Sequence, residues 1–141
     1  MTVRRVKSVW NGTLKEGKGN MDITGYSGPF TFATRFENAK GTNPEELVGA
    51  AQSGCYSMFL SALLSGEGLN PESIETTAAV TLGEVDGGPA VTNIKLVTFV
   101  KCDGLSQEKF AELSVVAKER CPISRLYAGG TAEIELDAKL V

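Results

Sequence analysis

Three thiols and no imidazole define the chemistry open to this chain. Its 141 residues include Cys55, Cys102 and Cys121 and not one histidine. Ser-His-Asp and Cys-His nucleophilic machinery is therefore excluded, as are the common zinc sites that contain His. A zinc site of all three cysteines would lack the usual paired ligands, because no CxxC occurs. Any reaction must be run by Cys, Asp, Glu, Lys, Arg or Tyr. A cysteine attacks as its thiolate. An unperturbed cysteine is only roughly 3% thiolate at pH 7, so full ionisation is worth about thirty-fold in rate.

Cys55 sits in GTNPEELVGAAQSGCYSMFLSALLSGEG, among Gly49, Ala50, Ala51, Ser53 and Gly54. Free cysteine is among the most buried residue types, so its plain reading is a small core hydrophobe. Against that, the small residues let a ligand or another backbone come close. Arg35 and Glu45 lie upstream as candidates for tuning a thiolate. Arginine suits the task because it stays charged and offers donors in a fixed fork. Their plain readings are a solvated arginine on a strand edge and a first-turn helix carboxylate, and spacing does not separate Glu45 from Glu46. Cys121 precedes Pro122, so the chain must bend there. The negative end of a helix disfavours a thiolate, which makes Cys121 a poor attacker that could still resolve a sulfenic acid. Cys102 reads as structural.

These residues must be carried by a small set of elements. VRRVKSVWNGTLKEGKGNMDITGY reads as two strands and a turn, followed by a short extended piece from Phe30 to Phe36. Asn43 as N-cap and Pro44 at the first helical position open a long helix to about Ser65, roughly 33 Å in length. Leu47, Ala51, Cys55, Met58, Phe59, Ala62 and Leu63 recur along it at helical spacing. Val48, Leu60 and Leu64 make it apolar nearly all round, as expected of a central helix. Two long strands follow, joined through DGGPA, then a helix capped by Ser106, a short PISRLY turn and a last strand. The order predicts an α+β fold, antiparallel sheets packed on helices, in one domain spanning 1–141.

Net charge is −3, which leaves no electrostatic footprint for nucleic acid. The basic opening MTVRRVK is followed by no apolar segment, so no signal peptide is expected. No apolar run approaches the ~18 residues of a membrane span. An odd cysteine count argues for a reducing compartment, hence the cytoplasm.

TRFENAKGTNPEELVGAAQSGCYS and CPISRL, in that order and separation, resemble the OsmC/Ohr family of peroxide-stress proteins, and its OsmC branch in particular. The resemblance extends over essentially the whole chain. It implies an intertwined α+β homodimer with two long central helices at its core, and no metal or bound prosthetic group. The implied activity is a thiol-dependent peroxidase reducing organic hydroperoxides and, more weakly, hydrogen peroxide. By motif position Cys55 corresponds to the peroxidatic cysteine and Cys121 to the resolving one. Arg35 corresponds to the arginine that pairs with the thiolate, and Glu45 to the glutamate that orients it. A Cys55 sulfenic acid would condense with Cys121 to a disulfide, reset by an external dithiol, for which the resemblance suggests a lipoyl-type protein. Cys102 matches no family motif.

Glu45 and Cys55 are ten residues apart, about 15 Å along a continuous helix. Either the helix breaks, or the Arg35 and Glu45 serving one Cys55 come from a partner subunit. Phe30, Phe32, Phe36, Met58, Phe59 and Leu126 are candidates to line an apolar pocket, and equally plain core residues. Two other readings stay open: a redox sensor that uses the same disulfide, and a ligand-binding dimeric scaffold without turnover.

Overall fold

Asn43 caps the longest element of the chain: its Oδ1 accepts the Glu46 backbone N–H at 2.8 Å. The computed structural model describes every residue from Met1 to Val141. The elements are β1 (Lys7–Asn11), β2 (Lys18–Ile23), β3 (Tyr26–Thr31), α1 (Phe32–Phe36), α2 (Pro44–Gly66), β4 (Ser73–Val85), β5 (Gly88–Lys101), α3 (Gln107–Arg120), α4 (Pro122–Tyr127) and β6 (Glu133–Leu140). This is the expected α+β class. Where the sequence reads as one domain, the chain divides into two compact units, Met1–Leu47 and Val48–Val141.

The first unit is an antiparallel β1-β2-β3 sheet leading into α1. Here one expectation is corrected: Phe32–Phe36 is a helical turn, not extended chain. Thr31 Oγ1 accepts the Thr34 N–H at 3.2 Å, and Thr34 Oγ1 accepts the Thr31 N–H at 2.9 Å. This reciprocal cap satisfies two backbone donors at once, and the local bonds outweigh the strand preference of an aromatic and Thr-rich run. Arg35 therefore projects from a helix rather than a strand edge.

In the second unit β4 and β5 form a hairpin through Asp86 and Gly87, both at positive φ (52° and 78°). That is the two-residue turn that matches strand twist. β6 joins the far edge of β5 in parallel, reached through α3 and α4. A parallel partner needs such a crossover, which alternation in the strand itself does not announce.

The part of α2 in this unit buries Gly49, Gln52, Tyr56, Leu60 and Leu64. Tyr56, Leu60 and Leu64 pack with Ile94, Leu96 and Val100 of β5 and Phe110, Leu113 and Ala117 of α3. Gly49 brings helix and sheet together, since a Cβ there would sit 3.1 Å from a Val80 methyl. Ser57 donates to Thr76 Oγ1, Thr76 pairs with Thr98, and Thr98 donates to the Glu75 carbonyl. This run of satisfied hydroxyls ties α2 to β4 and β5.

The buried face differs from the expected one. Ala51 and Ala62 are exposed and Met58 is 77% exposed, while Cys55, Phe59 and Leu63 are half-buried. A helix apolar on several sides does not reveal which side its own chain covers. The same composition makes α2 long and apolar enough to cross a membrane, with a window of mean hydropathy 1.3. No unbroken apolar run produces this; the average rises around Gln52 and several serines. The hydroxyl ties and the Tyr56–Leu60–Leu64 stripe make α2 a core helix.

Gly49→Leu is expected to destabilise the fold by about 1–3 kcal/mol through overpacking against β4. Urea denaturation checks this, and a change within error would show that the helix–sheet spacing is not set at Gly49.

Candidate active site

In the first unit, two short segments are tied so that an arginine meets a glutamate. Asn43 caps α2, and its Nδ2 also donates to the Thr34 carbonyl at 3.3 Å near the end of α1. Gly41 permits this return: at φ 151° it lies so close to Thr34 that a Cβ would meet the Thr34 methyl at 2.6 Å. Arg35 then donates from Nε to both Glu45 carboxylate oxygens at 3.2 Å and from Nη2 to Oε1 at 2.6 Å. The guanidinium also lies 5.3 Å from the Phe36 ring centroid. Arg35 is 37% exposed, so the pair contributes only about 0–1 kcal/mol to stability. Its effect is orientation: the planar fork is clamped along one edge, through Nε and Nη2, and Nη1 is left out of the clamp. Beside it, Trp10, Leu14, Phe30, Phe32, Phe36 and Pro44 line a cavity of about 220 Å³.

In the second unit, α4 gathers two sulfurs. Cys121 closes α3 and caps α4, in the extended conformation (φ −61°, ψ 139°) that Pro122 imposes on its predecessor. It is fully buried, and its Sγ accepts the Ser124 N–H at 3.3 Å. Cys121 is thus not only a helix C-terminus, as its sequence position suggests, but also the N-cap of the next helix. The Ile123 N–H faces Cys55, and the Cys121 side chain lies beside it as well. Burial pushes the Cys55 thiol up, Cys121 adds to this, and the Ile123 N–H works the other way. All three cysteines are free thiols. Cys102 lies apart in this chemistry, its Sγ 3.8 Å from the Asp103 carbonyl. No group of three Cys, Asp or Glu side chains is placed to hold a metal ion.

Residues 37–137 match the family model described as OsmC-like protein. The chain is 43% identical to Peroxiredoxin OsmC of Escherichia coli K12, over 99% of each chain. The chain belongs to the OsmC family. It is 31% identical to Organic hydroperoxide resistance protein OhrB of Bacillus subtilis 168, over 83% of this chain and 88% of that one. Among solved structures, an OsmC-like protein from Mycoplasma pneumoniae shares the fold with a TM-score of 0.75 at 16% identity, covering 99% and 98% of the two chains. The structure of B. subtilis OhrB gives 0.68 at 24% identity, over 96% and 98%. Membership carries the activity class: this OsmC-family chain is a Cys-based peroxidase, an oxidoreductase.

Of the four site residues expected from sequence, the structure pairs Arg35 with Glu45 and Cys55 with Cys121. Phe30, Phe32 and Phe36 share the cavity at Arg35. Leu126 lines a different one with Val48, Val91 and Tyr127, Phe59 packs against the core, and Met58 is exposed. Two residues went unnoticed in the sequence. Gln52 is fully buried, its Nε2 donating to Ser124 Oγ at 3.1 Å and its Oε1 lacking a partner. Ser124 Oγ lies 3.0 Å from Cys121 Sγ. The available signal was a glutamine in register with Tyr56, Leu60 and Leu64, where an apolar residue belongs.

The Tyr56 phenol, fully buried, is pushed up from its ordinary value by burial and by facing Cys121. The folded state therefore keeps a proton on Tyr56 that the unfolded chain releases above its ordinary value of 10.0. The stability linked to this group is complete below pH 10.0 and declines as pH rises beyond it. Unfolding free energy measured in urea should fall on the alkaline side, and Tyr56→Phe should flatten the part above pH 10.0. An unchanged alkaline slope in Tyr56→Phe would contradict the burial argument.

Proposed function

We propose that this chain reduces organic hydroperoxides, and hydrogen peroxide more weakly, through a Cys55 sulfenic acid and a Cys55–Cys121 disulfide reset by an external dithiol. The observation that carries this reading is the meeting of Cys55 and Cys121 at the first turn of α4. The names of the E. coli and B. subtilis relatives support the substrate class. The Cys55 thiolate attacks the terminal oxygen of RO–OH. An S–O bond forms, the O–O bond breaks, and the alkoxide leaves to take a proton. Cys121 then displaces the hydroxyl of the sulfenic acid as water, and a dithiol of lipoyl type exchanges with the disulfide.

Arg35 and Glu45 act on the Cys55 of a second subunit. α2 runs unbroken from Pro44 to Gly66, so a first-turn glutamate and a thiol ten residues on are separated by about 15 Å along it. α2 also leaves Ala51, Met58 and Ala62 exposed, and open space surrounds Gly54. An apolar stripe with small residues suits close packing of an antiparallel α2 across a twofold axis. The partner's guanidinium offsets the burial that pushes the Cys55 thiol up, favours the thiolate and steadies the departing alkoxide. The aromatic cavity beside Arg35 takes the alkyl group of the peroxide, which hydrogen peroxide lacks. Three free thiols suit a reducing compartment, the cytoplasm.

With an organic hydroperoxide and dithiothreitol, turnover should continue past one equivalent, and Cys55→Ser should abolish it. Oxidation that stops at one equivalent would contradict a peroxidase. Arg35→Ala should slow Cys55 oxidation by up to about thirty-fold at pH 7, and by less as pH rises. Equal mixing of inactive Cys55→Ser subunits with slowed Arg35→Ala subunits should raise activity to about a quarter of wild type, because half the dimers then hold one intact shared site. No recovery in verified heterodimers would exclude shared sites.

A further inference from the structure

Gln52 occupies a place that packing alone would give to an apolar residue. It is fully buried in the stripe of Tyr56, Leu60 and Leu64, and its Oε1 has no partner. A buried acceptor left unpaired needs a reason other than stability. Its Nε2 shows where that reason lies. It donates to Ser124 Oγ at 3.1 Å, Ser124 Oγ lies 3.0 Å from Cys121 Sγ, and Cys121 lies beside Cys55. Ser124 is 2% exposed and Cys121 0%. Gln52 and Cys55 are also three residues apart on α2 and so share a side of the helix. The result is a line of amide, hydroxyl, thiol and thiol, sealed from solvent up to Cys121 and half-buried at Cys55.

We infer that Gln52 is a positioning residue for the disulfide-forming half of the reaction, acting on Cys121 through Ser124. The inference rests on reading Cys121 as the resolving thiol. In the condensation, the Cys121 sulfur attacks the Cys55 sulfur of the sulfenic acid. The S–S bond forms, the S–O bond breaks, and the Cys121 proton ends on the departing hydroxide as water. No outside oxidant is consumed, since the peroxide has already oxidised Cys55.

As a thiol, Cys121 donates to Ser124 Oγ. Once the proton leaves, its sulfur becomes an acceptor and needs donors. The Ser124 N–H is already in place at 3.3 Å. The Ser124 hydroxyl supplies a second donor only if its hydrogen turns toward sulfur. The Gln52 N–H occupies a lone pair of that oxygen, which holds the hydroxyl group in position and leaves its hydrogen for the sulfur. Without Gln52 the hydroxyl is free to turn back to a carbonyl of its own helix.

The test separates the two chemical steps after a single pulse of an organic hydroperoxide. Consumption of the first peroxide equivalent reports Cys55 oxidation. Intact mass reports the disulfide, and dimedone traps surviving sulfenic acid. Gln52→Met keeps the side-chain shape and removes both polar atoms. It should leave the first step within about twofold, slow disulfide formation tenfold or more, and make the dimedone adduct at Cys55 accumulate. Its thermal midpoint should hold or rise, because an unpaired acceptor is gone. Ser124→Ala should give the same pattern, and the double variant should be no slower than Ser124→Ala alone, as expected of two groups acting in series. Disulfide formation at the wild-type rate in a folded Gln52→Met overturns the inference, as does equal slowing of both steps or additive losses in the double variant. Should Gln52→Met not fold, Ser124→Ala decides by the same readouts. A wild-type protein that forms no Cys55–Cys121 disulfide removes the underlying reading of Cys121 instead.

Discussion

The rotation of α2 about its axis governs everything in the thiol site. Gln52, Tyr56, Leu60 and Leu64 recur every four residues and are sealed along one face. Full burial of a side chain the size of Leu contributes roughly 1.5–3 kcal/mol, so this stripe outweighs any local preference of the residues beside it. Cys55 precedes Tyr56 and follows Gln52 by three, so sealing those two leaves the thiol half-buried at the edge of the core. Rotation by one residue, about 100°, would carry the thiol out of that edge. The hydroxyl ties from Ser57 to Thr76 and Thr98 hold the same rotation by hydrogen bonding.

The second sulfur reaches that edge because of proline chemistry. Pro122 forces Cys121 into an extended conformation between two helices, so α3 ends and α4 begins at one residue. The first turn of α4 then presents successive N–H groups, with Ile123 meeting Cys55 and Ser124 meeting Cys121. Two cysteines 66 positions apart in the sequence thus share one short helix as their anchor. The arginine is held by a comparable device in the other unit, where Asn43 ties the end of α1 to the start of α2.

Much of the fold was readable locally. The caps at Asn43 and Ser106, the Asp86–Gly87 hairpin and the break at Pro122 each depend on a few adjacent residues, and each is present. The α1 turn was not, because Thr31 and Thr34 can cap a helix or sit in a strand equally well. The motifs around Cys55 and Cys121 marked the four residues proposed for the site, but they gave no hint of Gln52, whose meaning depends on Ser124 lying across the core. The parallel pairing of β6 with β5 was hidden for the same reason: alternation along a strand carries no information about its neighbour.

By itself, then, the sequence determined the chemistry. Without histidine, thiol and guanidinium groups are what remain to attack and to steady charge, and residue types are a property of the chain alone. The tertiary structure decided which groups meet. It turned α2 so that Gln52 rather than Met58 is buried, brought Cys121 against Cys55, and clamped Arg35 on Glu45. These outcomes depend on competition among contacts distant in sequence, where burial of the most apolar area and satisfaction of buried polar groups outweigh local preference.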